Sequence, residues 1–378
     1  MNPIIYLDNA ATSYPKPPNV IRAVTDSLFR CGNPGRSSHS LSLYSARAVF
    51  DCREAICAFF NFNRPENVVF TYNTTYALNM AIKGLITKGE IVVSNYEHNS
   101  VLRPAGELAK ERCGVSLSVF NIGKNDEETV ANFTEALSEK TSLCVITMCS
   151  NVTGRILPYR RISEICKARG IKLIFDAAQY AGLMPLDLSS LYFSAVCFAC
   201  HKSLCGIMGC GFCIFSPEAE PESIIQGGNG VESASPVQSG PLPERLESGT
   251  VGVPGIIALR EGLRHIEGVG QREIMQKCSY LENRLSDGLM NISGITVYGR
   301  CKNKVSTALF GIDKIPSEQV SSYLSSEGIC VRGGLHCAPL AHKALGTLDA
   351  GAVRASISHF NSGRDIDIFL SEIQKIAK

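Results

Sequence analysis

The 378-residue chain has no long run of one charge sign, no internal repeat and no low-complexity tract. It also has no apolar stretch approaching the ~18 residues of a membrane-spanning helix. Each absence excludes something. Lys and Arg number 37 against 35 Asp and Glu, a net charge of +2 with no long basic run, which argues against a nucleic-acid or polyanion partner. Without a long apolar run, neither a membrane span nor a signal peptide is expected, and the chain reads as soluble and cytoplasmic. Charged residues make up only 19% and apolar ones 45%, enough for a large core and too apolar for disorder. The length suits two or three domains.

What the chain has is a rhythm. Ile4–Leu7 reads as a short strand ending in the small residues of Asp8–Ser13, and prolines 15, 17 and 18 open a helix to about Phe29. The turn cluster Cys31–Arg36 and a long helix from Ser40 to Phe60 follow. Apolar runs then alternate with helical segments. The expected strands are Val68–Phe70, Ile91–Val93, Val115–Phe120, Leu143–Met148, Leu173–Phe175 and Ala195–Phe198. Such runs separated by helices predict an α/β fold, with a mostly parallel sheet covered on both faces. After Gly255 the pattern changes to a smaller α+β unit, with Cys330–Arg332 expected as one strand. The expected division is a large domain over 16–261 and a small one built from 1–15 and 262–378. Residues 227–243, rich in Gly, Ser and Pro, form one long irregular segment.

Ligands of open α/β sheets lie at the carboxyl ends of the strands. Thr74 and Thr75 follow one such end at a helix start, where free N–H groups and hydroxyls suit either an anion or ordinary capping. His98 follows another, as a helix cap or as an imidazole against a flat ligand. Asp176 ends a buried strand in a small-residue context and needs a positive or protonated partner, yet no carboxylate or His cluster stands near it at metal spacing. Lys202 stands just past the end of the Ala195–Phe198 run; an isolated lysine there would snorkel to water. Together, a lysine amine, a buried aspartate and a helix-start phosphate site are what pyridoxal 5'-phosphate requires.

The same residues carry a resemblance. Leu7-Asp8-Asn9-Ala10-Ala11-Thr12, Gly32-Asn33-Pro34, Thr74-Thr75, Glu97-His98, Ser150-Asn151, Asp176-x-x-Gln179, His201-Lys202, Glu247-Ser248-Gly249-Thr250 and Arg354-x-Ser356 stand in this order. In that order they resemble the class V aminotransferase group of fold-type I PLP enzymes (the PLP-dependent transferase fold), specifically the cysteine desulfurases. The resemblance implies Lys202 as the PLP-binding lysine and Asp176 as partner of the pyridine nitrogen. It implies Gln179 and Asn151 beside the ring oxygen or substrate, and His98 stacked on the ring. Thr74, Thr75 and His201 would sit near the phosphate, with Asn229 reaching over from the partner subunit of a homodimer. Arg354 would clamp the substrate carboxylate, a task for a planar bidentate fork, with Ala11 beside the substrate.

Cys337 falls where desulfurases carry the nucleophilic cysteine, seventeen residues before Arg354. That short interval is similar to the type II desulfurases and selenocysteine lyases. Gly333-Gly334, His336 and Arg332 around it suit exposure and activation of a thiolate. The implied reaction converts L-cysteine (or L-selenocysteine) to L-alanine, leaving a persulfide on Cys337 for an acceptor protein. A selenocysteine lyase, or a class V aminotransferase or β-lyase that does not use Cys337, stays open as an alternative, as does an idle thiol scaffold. The chain departs from the family at Ala199 and Cys200, which stand where a phosphate-binding Ser or Thr and a Gly are usual. It departs again at Leu335, where type II enzymes commonly have His.

Sixteen cysteines in a signal-free chain suit a reducing compartment, where most serve as small core hydrophobes. Cys205, Cys210 and Cys213 have the spacing of a plant-type iron–sulfur loop. Gly211–Phe215 reads as a buried strand, however, whose alternate side chains face opposite ways, so core packing is expected there.

Overall fold

Short runs of Val, Ile, Leu and Phe bounded by turn residues become strands, as their β propensity dictates. The computed structural model describes residues 4–35, 37–231 and 234–378. Arg36 of the turn cluster, two positions of the 227–243 segment and the first three residues lie outside the described residues.

After β1 (Ile5–Tyr6) come α1 (Pro18–Arg30) and α2 (Ser40–Phe59). The alternation follows: β2 (Val68–Thr71), α3 (Thr74–Leu85), β3 (Gly89–Ser94), α4 (Asn99–Glu111), β4 (Val115–Phe120), α5 (Asp126–Ala136) and β5 (Thr141–Thr147). It continues through α6 (Tyr159–Arg169), β6 (Lys172–Asp176), β7 (Ala195–Ala199) and β8 (Gly211–Phe215). These strands form one seven-stranded sheet in the order β2-β8-β7-β6-β5-β3-β4. Only β8 runs against its neighbours. Caps stand where the side chains permit them: Asn125 accepts from Glu128 N at 2.9 Å, and Gly170 closes α6 at φ 65°.

Alternation along the strands builds two cores. Phe70, Ile146, Phe175, Phe198 and Phe212 pack on one face, and Val69, Val145, Ile174, Cys197 and Cys213 on the other. The cysteine triplet divides the same way, with Cys205 and Cys210 in the first core and Cys213 in the second. A sheet therefore separates thiols that a cluster would need to converge, and they act as packing. Cys200 joins the first core as well.

The chain then runs through α7 (Val253–Val269), α8 (Gln271–Met290), β9 (Ile295–Tyr298), β10 (Thr307–Ile312) and α9 (Ser317–Ser326). It ends with β11 (Ile329–Cys330), β12 (Arg332–Gly334), α10 (Pro339–Ala344), β13 (Ala352–Ser356) and α11 (Gly363–Ile376). The single strand expected over Cys330–Arg332 is two. β11 pairs in parallel with β1, whereas β12 joins the antiparallel sheet β12-β13-β10-β9. Val331 is the residue at which the chain changes sheets. The β1–β11 pair also carries the N-terminal segment to the face where Asp8 bridges to Ser356.

Candidate active site

Loops at the carboxyl ends of β2, β3, β5, β6 and β7 meet the β12–β13 region around a cavity of about 350 Å³. Ala11, Thr74, Thr75, His98, Asn151, Asp176, Gln179, His201, Lys202, Cys337 and Arg354 all line it. Asn229 does not: its Nδ2 donates to Ser239 O at 3.2 Å within the 227–239 loop.

At one end of the cavity α3 begins. Asn73 caps it, accepting from Tyr76 N at 2.9 Å, which leaves Thr74 and Thr75 at positions whose amides have no intrahelical acceptor. The buried Thr74 Oγ1 has no partner either. Gly211 lies beneath this start, where a Cβ would come within 2.6 Å of the Asn73 carbonyl carbon. His98 is both things its position allowed: it caps α4, Nδ1 accepting from Ser100 N at 3.0 Å, and it lines the cavity. Because Nδ1 accepts, the ring proton sits on Nε2. Burial, and then Lys202, lower its pKa to about 4, so the imidazole is neutral.

Parallel pairing of β6 with β7 brings the last residue of β6, Asp176, beside the lysine loop. The Asp176 carboxylate accepts from Ala178 N at 2.9 Å; burial raises its pKa against the pull of that bond and of Lys202. Burial also lowers the Lys202 amine to about 8, partly offset by Asp176, and Nζ has no hydrogen-bond partner among the described residues. An amine titrating there is available as a nucleophile or base near neutrality. The peptide ahead of it is fixed from the N-terminal segment. His201 O accepts from Ser13 N (3.0 Å), Thr12 Oγ1 (3.0 Å) and Lys16 Nζ (2.9 Å). Of these three residues only Thr12 falls in a stretch that carries the family resemblance. His201 Nδ1 is buried without a partner, and burial, followed by Lys202, lowers the ring to about 4.

Across the cavity Arg354, only 2% exposed, donates through Nη2 to Asp8 Oδ1 at 2.9 Å and through Nη1 to Asn151 O at 2.9 Å. Its Nε is buried and unpartnered. Arg332 Nε reaches the other Asp8 oxygen at 3.2 Å, so one carboxylate holds both guanidinium groups. Gln179 Nε2 donates to Ala10 O at 2.9 Å, which places Ala11 at the wall. Cys337 is exposed at the cavity mouth with φ 56°. Both ring nitrogens of His336 are engaged away from the thiol: its Nδ1 lies 3.0 Å from His342 Nε2 and its Nε2 3.1 Å from Arg332 O. Ala199 and Cys200, the least family-like positions, do not line the cavity at all; Ala199 pairs with Gly211 and Cys200 faces the core.

The model of the class-V aminotransferase family matches residues 5–369. This chain belongs to that family. Its members are PLP enzymes. The chain is 32% identical over 384 residues to a probable cysteine desulfurase of Methanothermobacter thermautotrophicus, covering 99% of this chain and 94% of that one. A probable cysteine desulfurase of Pyrococcus abyssi is likewise 32% identical, over 393 residues, with the same coverage of 99% and 94%. The apo structure of a cysteine desulfurase from Thermococcus onnurineus superposes with a TM-score of 0.92 at 29% identity, covering 99% of this chain and 94% of the other.

The residues present fit the family's cofactor. Three buried polar atoms that lack partners, Thr74 Oγ1, His201 Nδ1 and Arg354 Nε, belong to residues lining this one cavity. A buried polar group without a partner is costly, and an anionic ligand supplies what each of these lacks.

Proposed function

We propose that the chain is a PLP-dependent cysteine desulfurase that takes the sulfur of L-cysteine onto Cys337 and releases L-alanine. The observation that carries it is the meeting of Lys202, Asp176, Arg354 and the exposed Cys337 on one cavity. Thr74, Thr75 and His201 would hold the cofactor phosphate, Asp176 its ring nitrogen, His98 its ring face, and Gln179 with Asn151 its ring oxygen. When bound, the cofactor supplies an electron sink for the substrate's α-carbon. Arg354 binds the substrate carboxylate through its unpartnered Nε edge, and the Asp8 and Asn151 contacts keep the fork from rotating. The Lys202 amine takes the α-proton. Cys337 Sγ attacks the substrate sulfur, the C–S bond breaks, and the α-amino acid leaves with hydrogen where sulfur was. Overall one thiol and L-cysteine give one persulfide and L-alanine, with no external oxidant or reductant.

The proposal extends to the assembly. A large unit over 16–261 holds the cofactor, and a small one, 1–15 with 262–378, contributes Arg354 and Cys337. A homodimer would bring Asn229 of one subunit to the phosphate of the other, and Leu28 and Phe29, 70% and 82% exposed on α1, support such an interface. A cytoplasmic setting and a protein acceptor for the persulfide complete the reading; no described helix is long and apolar enough to cross a membrane. The test is Cys337→Ala. Alanine and sulfide production from L-cysteine should collapse while the cofactor's visible absorbance persists, and full turnover in the variant would sink the persulfide role. Turnover of L-selenocysteine measured beside L-cysteine separates a desulfurase from a selenocysteine lyase.

A further inference from the structure

Behind the Cys337 turn lies a polar cluster to which the desulfurase reading gives no task. His342 on α10 is 0% exposed and Thr347 is 2% exposed. The rings of His336 and His342 stack with centroids 5.2 Å apart and planes 18° from parallel. Three short contacts join them in a line: Arg332 O to His336 Nε2 at 3.1 Å, His336 Nδ1 to His342 Nε2 at 3.0 Å, and His342 Nδ1 to Thr347 Oγ1 at 2.8 Å.

One end of this line fixes every proton in it. A carbonyl only accepts, so His336 Nε2 carries the hydrogen that meets Arg332 O. Burial holds His336 neutral, its pKa lowered to about 3, which leaves Nδ1 as a bare lone pair. The donor facing that lone pair is His342 Nε2–H. His342, whose pKa is also lowered by burial, is then bare at Nδ1 and accepts the Thr347 hydroxyl proton. Thr347 N closes the arrangement by donating to His342 O at 2.9 Å.

The backbone that this line supports is unusual. His336 and Cys337 have φ of 50° and 56°, two successive non-glycine residues in the left-handed region. Such a pair persists only where surrounding contacts over-determine it. Its two carbonyls are held from other loops: Asn151 Nδ2 donates to His336 O at 2.7 Å and Asn99 N to Cys337 O at 2.7 Å. The remaining hold is the His336 ring, tied to Arg332 O and His342 Nε2.

We propose that His342 is a positioning residue for Cys337: through His336 it locks the left-handed turn that presents the Cys337 thiol to the cavity. This rests on the reading of Cys337 as the sulfur acceptor. His342→Gln retains an N–H that can donate to His336 Nδ1, and His342→Leu does not. In the holoenzyme His342→Leu should keep the cofactor absorbance and the KM for L-cysteine. Its kcat for alanine formation should fall roughly 10- to 100-fold, the scale of a reacting atom misplaced by about 1 Å. Gln should recover most of that loss. A second readout needs no turnover: the rate at which iodoacetamide alkylates Cys337, followed on its peptide by mass spectrometry, should rise in the Leu variant and return toward wild type in the Gln variant. Thr347→Val, which removes only the terminal proton donor, should shift both readouts the same way by less, and it replaces His342→Leu if that variant does not fold. Wild-type kcat and alkylation in the Leu variant would overturn the proposal, as would equal losses in Leu and Gln together with lost cofactor absorbance. Full turnover in Cys337→Ala would instead overturn the parent reading, and the alkylation rates would still decide whether His342 holds the turn.

Discussion

Asp8→Ala tests whether one carboxylate holds the Arg354 end of the cavity together. Arg354 is 2% exposed, and Asp8 is its carboxylate partner at 2.9 Å. Deleting one member of a buried ion pair leaves an uncompensated charge and costs about 3–5 kcal/mol. The Arg332 limb adds little, because that side chain is 50% exposed and such a pair contributes about 0–1 kcal/mol. Arg354 keeps its bond to Asn151 O, and the cavity beside it admits water, so the expected loss is at the lower end, about 3 kcal/mol. The assay is urea unfolding of the holoenzyme for Asp8→Ala, Arg354→Met and the double variant. With methionine at 354 no cation is left stranded, so Asp8→Ala should then cost at most about 1 kcal/mol, a coupling of about 2 kcal/mol. Losses in the two backgrounds that agree within about 0.5 kcal/mol would refute the pairing argument, since that is what independent sites show.

Two further outcomes follow from the site. Lys202 titrates at about 8 when folded against its ordinary 10.5. Below pH 8 both states hold the proton and the buried charge weakens the fold; between pH 8 and 10.5 the unfolded chain binds the extra proton, so folding is favoured as pH rises. Before cofactor loading, wild type should gain about 2–3 kcal/mol relative to Lys202→Met from pH 7.5 to 10.5, discounted for water in the cavity, and a constant difference would contradict the shifted amine. Gly211→Ala drives a Cβ to 2.6 Å from the Asn73 backbone and must displace the start of α3. The cost should be about 1–3 kcal/mol in stability, with weaker cofactor binding in a fluorescence titration; unchanged binding would remove the α3 start from the phosphate site.

The alternation of strand and helix was legible because burial on both faces of a parallel sheet leaves continuous apolar runs, as in Val92, Val145 and Ile174, all fully buried. The same logic disposed of the iron–sulfur spacing, since period-two alternation sends Cys210 and Cys213 to opposite faces. Legibility failed where a residue's meaning depends on another sheet. Cys330–Arg332 looks like one strand from its side chains, and only its partners, β1 and β13, divide it. The six-residue α10 is too short for a helical period, so His342 carried no signal although it lies six positions from His336.

The site divides along the same line. Groups that touch the cavity stand at strand ends or helix starts, where sequence order alone marks them: Thr75, His98, Asp176 and Lys202. Groups that hold those residues in place come from far along the chain. Asp8 meets Arg354 across 346 positions, and Thr12 meets the His201 carbonyl across 189. Lys202 makes the point most directly. Its amine is lowered by burial and raised in part by Asp176, and Asp176 reaches it only because β6 lies parallel to β7 in the register that pairs Asp176 with Cys197. A shift of one residue in that pairing would turn Asp176 to the opposite face of the sheet and leave the lysine without its counter-charge. The chemistry of the lysine is therefore a property of strand register, which no reading of the residues around Lys202 contains.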